Sequence, residues 1–329
     1  MSLELVLQDT HTGQLHVITG PTIFGRAPTP EGSKGVLQVD GSRINVSRNH
    51  CIVELQPSGY VVRDLGSTNG TELTTKLGSN ERRPIGIEDI LVLDRSEGWG
   101  YMVVGIKDPK KSHALLIGYP GTPGSGNYLP GVKNDIEAMK PALEQRDYSD
   151  RTTVLFDYNA TESNIMNQLE RMASQSTEHS QNIIYFTGHG AKNGHMLIAD
   201  GLLDPQKMLD KIANIPGNKA VVFDMCYAGN VLNEQSYRVP RNTLVLTAST
   251  EYEQSAEGQI DQIGGTKNGY FTGALLSELN DNSRPVDLRR VGINLQKFGL
   301  PQHSISIPQS PMQGHEGVIW FVMDPVGYK

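Results

Sequence analysis

Two short apolar runs, each leading to a reactive side chain, constrain the fold of this chain more than any other feature. Residues 182–188 precede His189, and residues 221–225 precede Cys226. Unbroken apolar runs bounded by turn-forming residues are typical of strands buried on both faces, as in a parallel sheet covered by helices. Since loops and ligands collect at the carboxyl edge of such a sheet, His189 and Cys226 are the first candidates for a functional pair.

Each of these two residues alone has a plainer interpretation. A cysteine at a strand end is usually a small buried apolar residue, and a single histidine is usually a surface or hydrogen-bonded core residue. Here both follow apolar runs, and glycine lies on both sides of His189 and three residues after Cys226, so the joint pattern favours a Cys/His pair. Nucleophilic catalysis by cysteine needs both the thiol and the imidazole. A thiol with a pKa of about 8.5 is only partly ionised until a neighbouring imidazole takes its proton.

The two segments resemble the caspase and metacaspase clan of cysteine peptidases. In that clan a His-Gly pair follows one core strand and an Asp-x-Cys-x-x-Gly motif follows the next, which here are His189-Gly190 and Asp224-Met225-Cys226-Tyr227-Ala228-Gly229. The resemblance implies that His189 handles the proton of Cys226, and that the backbone N–H groups of Gly190 and Cys226 form an oxyanion hole. No loop has the ligand spacing of a calcium site and no histidines have metal spacing, so we predict no metal or other cofactor.

A carboxylate near the cysteine predicts the substrate preference. Asp224 lies two residues before Cys226, so both side chains leave the same face of an extended strand. The metacaspase resemblance implies that Asp224 binds an Arg or Lys just before the scissile bond, with Glu251 as a second acidic residue of that pocket. The alternative is that Asp224 braces the strand end by accepting backbone N–H groups.

Length and composition limit the class of protein. With 329 residues the chain is too long for one ordinary core, which suggests two domains. A net charge of −7 argues against a nucleic-acid partner, and the absence of a run of 18 apolar residues argues against a membrane span. The first residues lack the pattern of a secretory signal and only two cysteines are present, so we expect a cytoplasmic protein with reduced thiols.

The first part of the chain, residues 1–107, predicts an all-β domain. Short strand-like runs alternate with clusters of Gly, Pro, Asn and Ser, without a clear stretch of helical period. Many short strands at close spacing are typical of a β-sandwich. The clearest runs are 3–7, 15–18, 51–55, 60–62, 90–93 and 101–104.

Three polar motifs within this domain resemble the forkhead-associated (FHA) domain, a sandwich that recognises phosphothreonine. They are Gly25-Arg26, Ser47-Arg48-Asn49-His50 and Gly66-Ser67-Thr68-Asn69-Gly70-Thr71. The resemblance implies that Ser47 and Arg48 hold the phosphate, while Arg26 adds charge or fixes the peptide backbone. It also implies that Thr68 and Asn69 grip the peptide main chain.

The physical chemistry of phosphate agrees with this interpretation. A group with a charge of about −2 is best met by a guanidinium fork and a hydroxyl on loops that a peptide can reach. The resemblance also implies that His50 braces these loops, and this sequence differs from a compact FHA pattern in the long polar loop 27–46. We therefore expect a phosphothreonine-containing protein or peptide as partner, in addition to a protein substrate.

A short polar segment, residues 108–112, leads to residues 113–329, where strands and helices alternate. Strands are predicted at 113–117, at 153–156, before His189, before Cys226, at 243–247 and at 318–322. Helix signals are the spacing of Val132, Ile136, Met139 and Leu143, the caps Thr161 and Asp204, and the segments 270–279 and 288–298. This order predicts a mostly parallel six-stranded sheet covered by helices, similar to single-chain members of the caspase-like fold.

Two functions of different classes follow from these patterns. The first is a caspase-like cysteine endopeptidase that is targeted or regulated by phosphothreonine recognition. The second is a phosphopeptide-binding adaptor whose caspase-like domain is a catalytically silent scaffold. The presence of both His189 and Cys226 favours the enzyme, since a degenerate domain would be expected to lack one of them.

Overall fold

The computed structural model describes residues 3–32, 34–78, 80–233, 236–249, 268–297 and 322–323. The chain divides into two compact units, the first up to Asp108 and the second from Pro109 onward. Within the described ranges no helix is both long and apolar enough to cross a membrane.

Short strands build the first unit. They are β1 (Glu4–Asp9), β2 (Leu15–Ile18), β3 (Thr22–Gly25), β4 (Gly35–Gln38), β5 (Cys51–Gln56), β6 (Gly59–Asp64), β7 (Arg82–Pro84), β8 (Ile90–Asp94) and β9 (Trp99–Lys107). One sheet has the order β2-β1-β9-β8 and the other has the order β4-β3-β5-β6-β7. Neighbouring strands run antiparallel, except for the parallel pair β3 and β4.

Alternate residues of these strands face one apolar core. Leu5 and Leu7 of β1 are fully buried, and so are Cys51 and Val53 of β5 in the other sheet. Side chains of a strand point alternately to its two faces, so two sheets that share a core must be stacked face to face. The predicted β-sandwich is therefore confirmed.

The segment 27–46, predicted as one long polar loop, contains strand β4, and in this respect the prediction is wrong. Leu37 is the buried residue of β4, and the other three residues of the strand are exposed. The strand lies at the edge of its sheet beside β3, where Gly35 sits close to Thr22. An edge strand held mainly through its backbone leaves no apolar alternation in the sequence, which explains why it was missed.

In the second unit strands alternate with helices. The elements are β10 (Ala114–Tyr119), α1 (Gly131–Glu144), β11 (Thr152–Phe156), α2 (Glu162–Gln175), β12 (Gln181–Gly188), β13 (Met196–Ile198), β14 (Gly201–Leu203), α3 (Pro205–Ile212), β15 (Asn218–Asp224), β16 (Thr243–Thr247), α4 (Tyr270–Leu279), β17 (Val286–Asp287), α5 (Leu288–Lys297) and β18 (Val322–Met323).

The central sheet of this unit is parallel and has five strands among the described residues, in the order β11-β10-β12-β15-β16. The predicted count of six is thus one too many for this part of the chain. Strand β18 pairs antiparallel with β17, and Arg146 fixes it there by donating from Nη1 to the carbonyl of Met323. Residues 318–321 of the predicted last strand lie outside the described residues.

Helices cover both faces of the parallel sheet, as buried parallel strands require. Residues of α1 and α4 share one apolar cluster with the sheet, and residues of α2 and α3 share the other. The predicted helix starts are confirmed: Thr161 accepts a hydrogen bond from the N–H of Asn164, and Asp204 accepts one from the N–H of Gln206.

The register of the sheet places the candidate catalytic residues at one edge. Thr187 of β12 lies opposite Asp224 of β15, and each is followed two residues later by a candidate side chain, His189 or Cys226. Strand order reverses between β10 and β12, which creates a crevice at their carboxyl ends. The loop that follows β10 carries Asn127 to this crevice.

Candidate active site and phosphate-binding loops

His189 follows β12 and is half-buried. Its Nε2 lies 2.5 Å from the carbonyl oxygen of Asn127, and this oxygen can only accept a hydrogen bond. The ring proton therefore sits on Nε2, which leaves Nδ1 to accept a proton from another group. The N–H of Leu197 in β13 donates to the carbonyl of His189 at 2.9 Å and so fixes the backbone that carries the ring.

Gly190 brings the two strand ends into backbone contact. A Cβ atom at this position would lie 2.0 Å from the carbonyl oxygen of Cys226, so no larger residue fits without moving one of the loops. In the β-bridge between Gly190 and Met196, the N–H of Ala191 donates to the carbonyl of His195 and the N–H of Leu197 donates to the carbonyl of His189. The N–H of Gly190 is not one of the donors of that bridge.

Cys226 stands at a tight turn between β15 and a 3-10 helix, Ala228–Leu232. Tyr227 adopts left-handed backbone angles, with φ 56° and ψ 23°, which costs a non-glycine residue roughly 1–2 kcal/mol. Ser249 holds this turn from inside: its hydroxyl donates to the carbonyl of Met225 and accepts from the N–H of Ala228, both at 2.9 Å.

In the first unit, the hydroxyl of Ser47 is the centre of the predicted phosphate-binding loops. It accepts a hydrogen bond from the N–H of Thr68 at 2.9 Å and thereby joins the two loops. His50 is fully buried beneath them, where its Nδ1 accepts from the N–H of Ser47 and its Nε2 donates to the carbonyl of Gly70. Burial lowers the pKa of His50, and a neutral ring is what this pair of hydrogen bonds needs.

The other predicted phosphopeptide residues surround the same loops. Arg48 is exposed, while the half-buried Arg26 donates from Nε to the carbonyl of Val46 at 3.2 Å. Asn69 donates from its amide to the carbonyl of Asn45 at 2.8 Å. Gly25 is packed so closely under this region that a Cβ there would lie 1.8 Å from the carbonyl oxygen of Arg48.

A buried carboxylate shapes the second loop, although the sequence analysis did not single it out. Asp64 accepts hydrogen bonds from the N–H groups of Gly66 and Ser67 and from the hydroxyl of Thr71. Burial alone would raise the pKa of Asp64, but these hydrogen bonds outweigh it and the pKa is lowered. Asp64 therefore stays ionised and holds the loop that carries Thr68.

Comparison with known proteins identifies both units. Residues 111–297, more than half of the chain, match the caspase domain of the peptidase C14 family. The chain belongs to the caspase family. Residues 22–94 match the FHA domain, so an FHA domain precedes the caspase domain.

Several solved structures are similar to parts of this chain. Caspase-1 from Spodoptera frugiperda is 16% identical over 65% of this chain and 88% of its own, with a TM-score of 0.46. Protein GSU0716 from Geobacter sulfurreducens is 16% identical over 59% of this chain and 91% of its own, with a TM-score of 0.47. An FHA domain studied for phosphothreonine-dependent interactions is 21% identical over 30% of this chain and 94% of its own, with a TM-score of 0.24. Among curated protein sequences none matches this chain.

In the caspase domain, the predicted pocket residue Asp224 is almost completely buried. Its Oδ2 accepts a hydrogen bond of 2.5 Å from Thr272, whose hydroxyl also contacts the hydroxyl of Tyr185. Glu251, the other predicted pocket residue, lies outside the described residues. The structure thus places Asp224 at the end of β15, two residues before Cys226, in a network of side chains.

Asp135 of α1 is a second buried carboxylate in this network, and the sequence analysis missed it. Its Oδ2 accepts from the hydroxyl of Thr187, and its Oδ1 accepts from the N–H of Gly269. A Cβ on Gly269 would lie 3.2 Å from Oδ2 of Asp224 and 3.4 Å from Oδ2 of Asp135. The two carboxylates therefore approach one another around a residue that has no side chain.

Cys51, the other cysteine, has a different environment from Cys226. It is fully buried in the sandwich core, and burial raises the pKa of its thiol far above the ordinary value. Cys226 is only half-buried. In the described ranges, no three His, Cys, Asp or Glu side chains are grouped so as to hold a metal ion.

Proposed function

We propose that the caspase domain is a cysteine endopeptidase that uses His189 and Cys226. One observation carries this proposal: the backbone of Gly190 touches that of Cys226 while Nε2 of His189 is held by the carbonyl of Asn127. This arrangement fixes the imidazole with its basic Nδ1 available, beside the loop of a cysteine. Thiol acyl transfer requires a nucleophile, a base and a third group that orients the base.

The reaction proceeds in two stages. The thiol proton of Cys226 passes to Nδ1 of His189, and the thiolate attacks the scissile carbonyl carbon to form a C–S bond. The N–H groups of Gly190 and Cys226 stabilise the oxyanion, and the imidazolium gives its proton to the leaving amine as the C–N bond breaks. Water, deprotonated by His189, then hydrolyses the thioester and restores the thiol.

We place an Arg or Lys of the substrate in a pocket that contains Asp224, with Glu251 as a second acid. The buried proximity of Asp224 and Asp135 supports this choice. Two carboxylates this close repel one another, and a guanidinium between them would favour the ionised form of both.

Hydrolysis of fluorogenic peptides tests the endopeptidase. We expect the wild type to cleave after Arg and Lys, and Cys226→Ala or His189→Ala to lower kcat by roughly three orders of magnitude or more, because the two residues act as a unit. Cys51→Ala is the matched control and should stay near wild type. Equal activity of Cys226→Ala and wild type would reject the peptidase. An inactive wild type that still binds phosphopeptide would favour the adaptor.

Asp224→Ala tests the pocket separately. Loss of a buried partner for a charged group costs on the order of 2–5 kcal/mol, so kcat/KM for arginyl peptides should fall by roughly thirtyfold or more. Asp200→Asn is the control; this carboxylate lies in the turn between β13 and β14 and accepts a hydrogen bond from the N–H of Glu162. Cleavage only after Asp would contradict the pocket assignment.

We also propose that the FHA domain binds phosphothreonine and so directs or regulates the peptidase, with residues 108–112 as the linker. The hydroxyl of Ser47 and the exposed guanidinium of Arg48 lie on a braced loop, which suits a charged phosphate. We place the protein in the cytoplasm, where its two thiols stay reduced.

Calorimetric titration with matched phosphothreonine and threonine peptides tests this role. We expect binding of the phosphorylated form only, and a loss of roughly tenfold or more in Arg48→Ala, because a charge-assisted hydrogen bond is removed. Arg82→Ala, an exposed residue of β7, is the control. Equal affinity for the two peptides would remove the phosphothreonine-reading role.

A further inference from the structure

A cavity of about 390 Å³ opens in the caspase domain at the amino-terminal edge of the parallel sheet. Its floor is formed by Ala114 and Leu115 at the start of β10 and by Thr153 near the start of β11. Parallel strands all run the same way, so this edge is opposite to the one that carries His189 and Cys226. The cavity is therefore separate from the proposed active site.

Positive side chains converge on this cavity from three elements. Lys110 and Lys111 come from the 3-10 turn before β10, Arg151 from the loop before β11, and Arg171 from α2. Asp150 is the acidic residue in the lining. A concave site with an excess of cations stands out in a chain whose net charge is −7, and such a site concentrates anions.

Arg151 is held in place by backbone groups. Its Nε donates to the carbonyl of Ser112 at 3.0 Å, and its Nη2 donates to the carbonyl of Asp147 at 2.7 Å. Carbonyl oxygens orient the guanidinium but do not neutralise its charge. The planar group is thus fixed at the cavity with its full positive charge, which suits bidentate contact with a phosphate.

His113 adds a polar group that the protein leaves unsatisfied. Its Nε2 is buried and has no hydrogen-bond partner, although the residue is anchored by a 3.0 Å hydrogen bond from its N–H to Oδ1 of Asn182. Burial lowers the pKa of His113, and the charges of Arg151, Lys111 and Arg171 lower it further. A buried polar atom without a partner is costly, and a ligand in the cavity would supply one.

We propose that this cavity binds a small molecule that carries an oligophosphate group. Lys111, Arg151 and Arg171 would contact the phosphate oxygens, and Nε2 of His113 would donate to one of them. The excess of cations favours several linked phosphates over one, and the volume lies within the range of about 300–1,000 Å³ that small-molecule sites occupy. This inference does not depend on the peptidase activity.

Isothermal titration of the full chain with inorganic tripolyphosphate tests the proposal, with inorganic phosphate as the comparison ligand. We expect saturable binding of tripolyphosphate, stronger than that of phosphate, and a resonance of the His113 ring that shifts on saturation. Arg171→Gln and Lys111→Gln, both exposed, should each weaken binding roughly tenfold. Lys140→Gln, on the helix that covers the other face of the sheet, should leave binding unchanged.

The variant Arg48→Ala distinguishes tripolyphosphate binding in this cavity from binding by the FHA domain, which also has a candidate anion site. If the proposal holds, this variant keeps the tripolyphosphate binding that Arg171→Gln and Lys111→Gln weaken. Binding that is lost in Arg48→Ala but kept in Arg171→Gln and Lys111→Gln would overturn it. So would the absence of binding by the wild type, or weakening by Lys140→Gln as large as that by Arg171→Gln.

Discussion

A single glycine decides whether the ends of β12 and β15 meet. At Gly190 the carbonyl oxygen of Cys226 occupies the space of a side chain, and backbone cannot rotate away as a flexible side chain could. The turn at Tyr227 then depends on a second small residue, Ser249, which is fully buried against it. Gly190 and Ser249 therefore both help to fix the backbone position of Cys226.

Gly190→Ala should separate the two loops and lower kcat/KM for fluorogenic peptides by roughly a hundredfold, since catalysis is sensitive to displacements of about 1 Å. Gly273→Ala is the control, because a Cβ at that position on α4 meets no atom within 4 Å. Wild-type activity in Gly190→Ala would show that the contact is not needed for catalysis.

Ser249→Ala should leave the carbonyl of Met225 and the N–H of Ala228 without their shared partner, which costs about 1–3 kcal/mol. We expect kcat and the rate of alkylation of Cys226 by iodoacetamide to fall about tenfold, with KM little changed. Ser249→Thr should restore part of kcat and of the alkylation rate. Ser277 is exposed on α4, and Ser277→Ala should change neither of these two rates. A variant that is less stable but fully active would mean that Ser249 is only structural.

The elements of the caspase domain differ in how clearly the sequence predicts them. Strands β10, β12, β15 and β16 are apolar runs, and α1 to α4 have caps or apolar residues at helical spacing, so local patterns suffice. Hairpin β13–β14, with strands of three residues each, was missed because so short an alternation is indistinguishable from a loop. Yet this hairpin holds the backbone of His189 through Leu197.

The missed acid Asp135 had a signal in the sequence. It lies on the same face of α1 as Val132, Ile136 and Met139, which are all buried. A carboxylate on an apolar helix face is rarely placed there for packing, so it indicates a polar network or a site. Ser249 had no such signal, because its role arises from a loop folding back on the turn after β15.

Helix α5 offers a prediction that depends on pH. Asp287 precedes the helix, accepts a hydrogen bond from the N–H of Arg289, and is almost fully buried, and burial raises its pKa from 3.8 to about 6. A carboxyl group whose pKa is higher in the folded state than in the unfolded state destabilises the fold once it ionises. The loss of folding stability caused by Asp287 is absent below about pH 4, grows as the pH rises, and is complete above about pH 6.

Asp287→Asn keeps the acceptor oxygen and removes the charge. Relative to wild type, its free energy of unfolding should rise between pH 4 and pH 7, by on the order of 3 kcal/mol. Denaturant unfolding of the caspase domain at the two pH values measures this difference, with Asp210→Asn, an exposed residue of α3, as control. If the difference in unfolding free energy between Asp287→Asn and the wild type does not change with pH, the raised pKa of Asp287 is contradicted.

At the scale of the whole molecule, we propose that the candidate sites of the two domains act together by recruitment. A domain that binds a phosphothreonine protein raises the effective concentration of that protein at the peptidase without changing the chemistry. Sequence motifs are enough to indicate both candidate sites, because the residues of each loop are contiguous. The network around Asp224 joins α1, β12, β15 and α4, and such long-range contacts leave no local pattern.

Recruitment predicts that Arg48→Ala cleaves short unphosphorylated peptides like the wild type but cleaves a phosphothreonine-bearing protein more slowly. The rate of cleavage of the phosphothreonine-bearing protein should fall on the order of a hundredfold when this substrate is scarce. Kinetics on the two substrates measure this, with the unphosphorylated protein as control. If a phosphothreonine peptide instead accelerates cleavage of short peptides by the wild type, the FHA domain regulates the peptidase by relief of inhibition.

The most direct test of the catalytic pair is covalent labelling with a peptidyl chloromethyl ketone that ends in arginine, followed by peptide mapping by mass spectrometry. We predict one adduct per chain, on Cys226, formed at the wild-type rate in Cys51→Ala, strongly slowed in His189→Ala and absent in Cys226→Ala. An adduct on Cys51, no adduct in the folded wild type, or the same labelling rate without His189 would contradict the assignment.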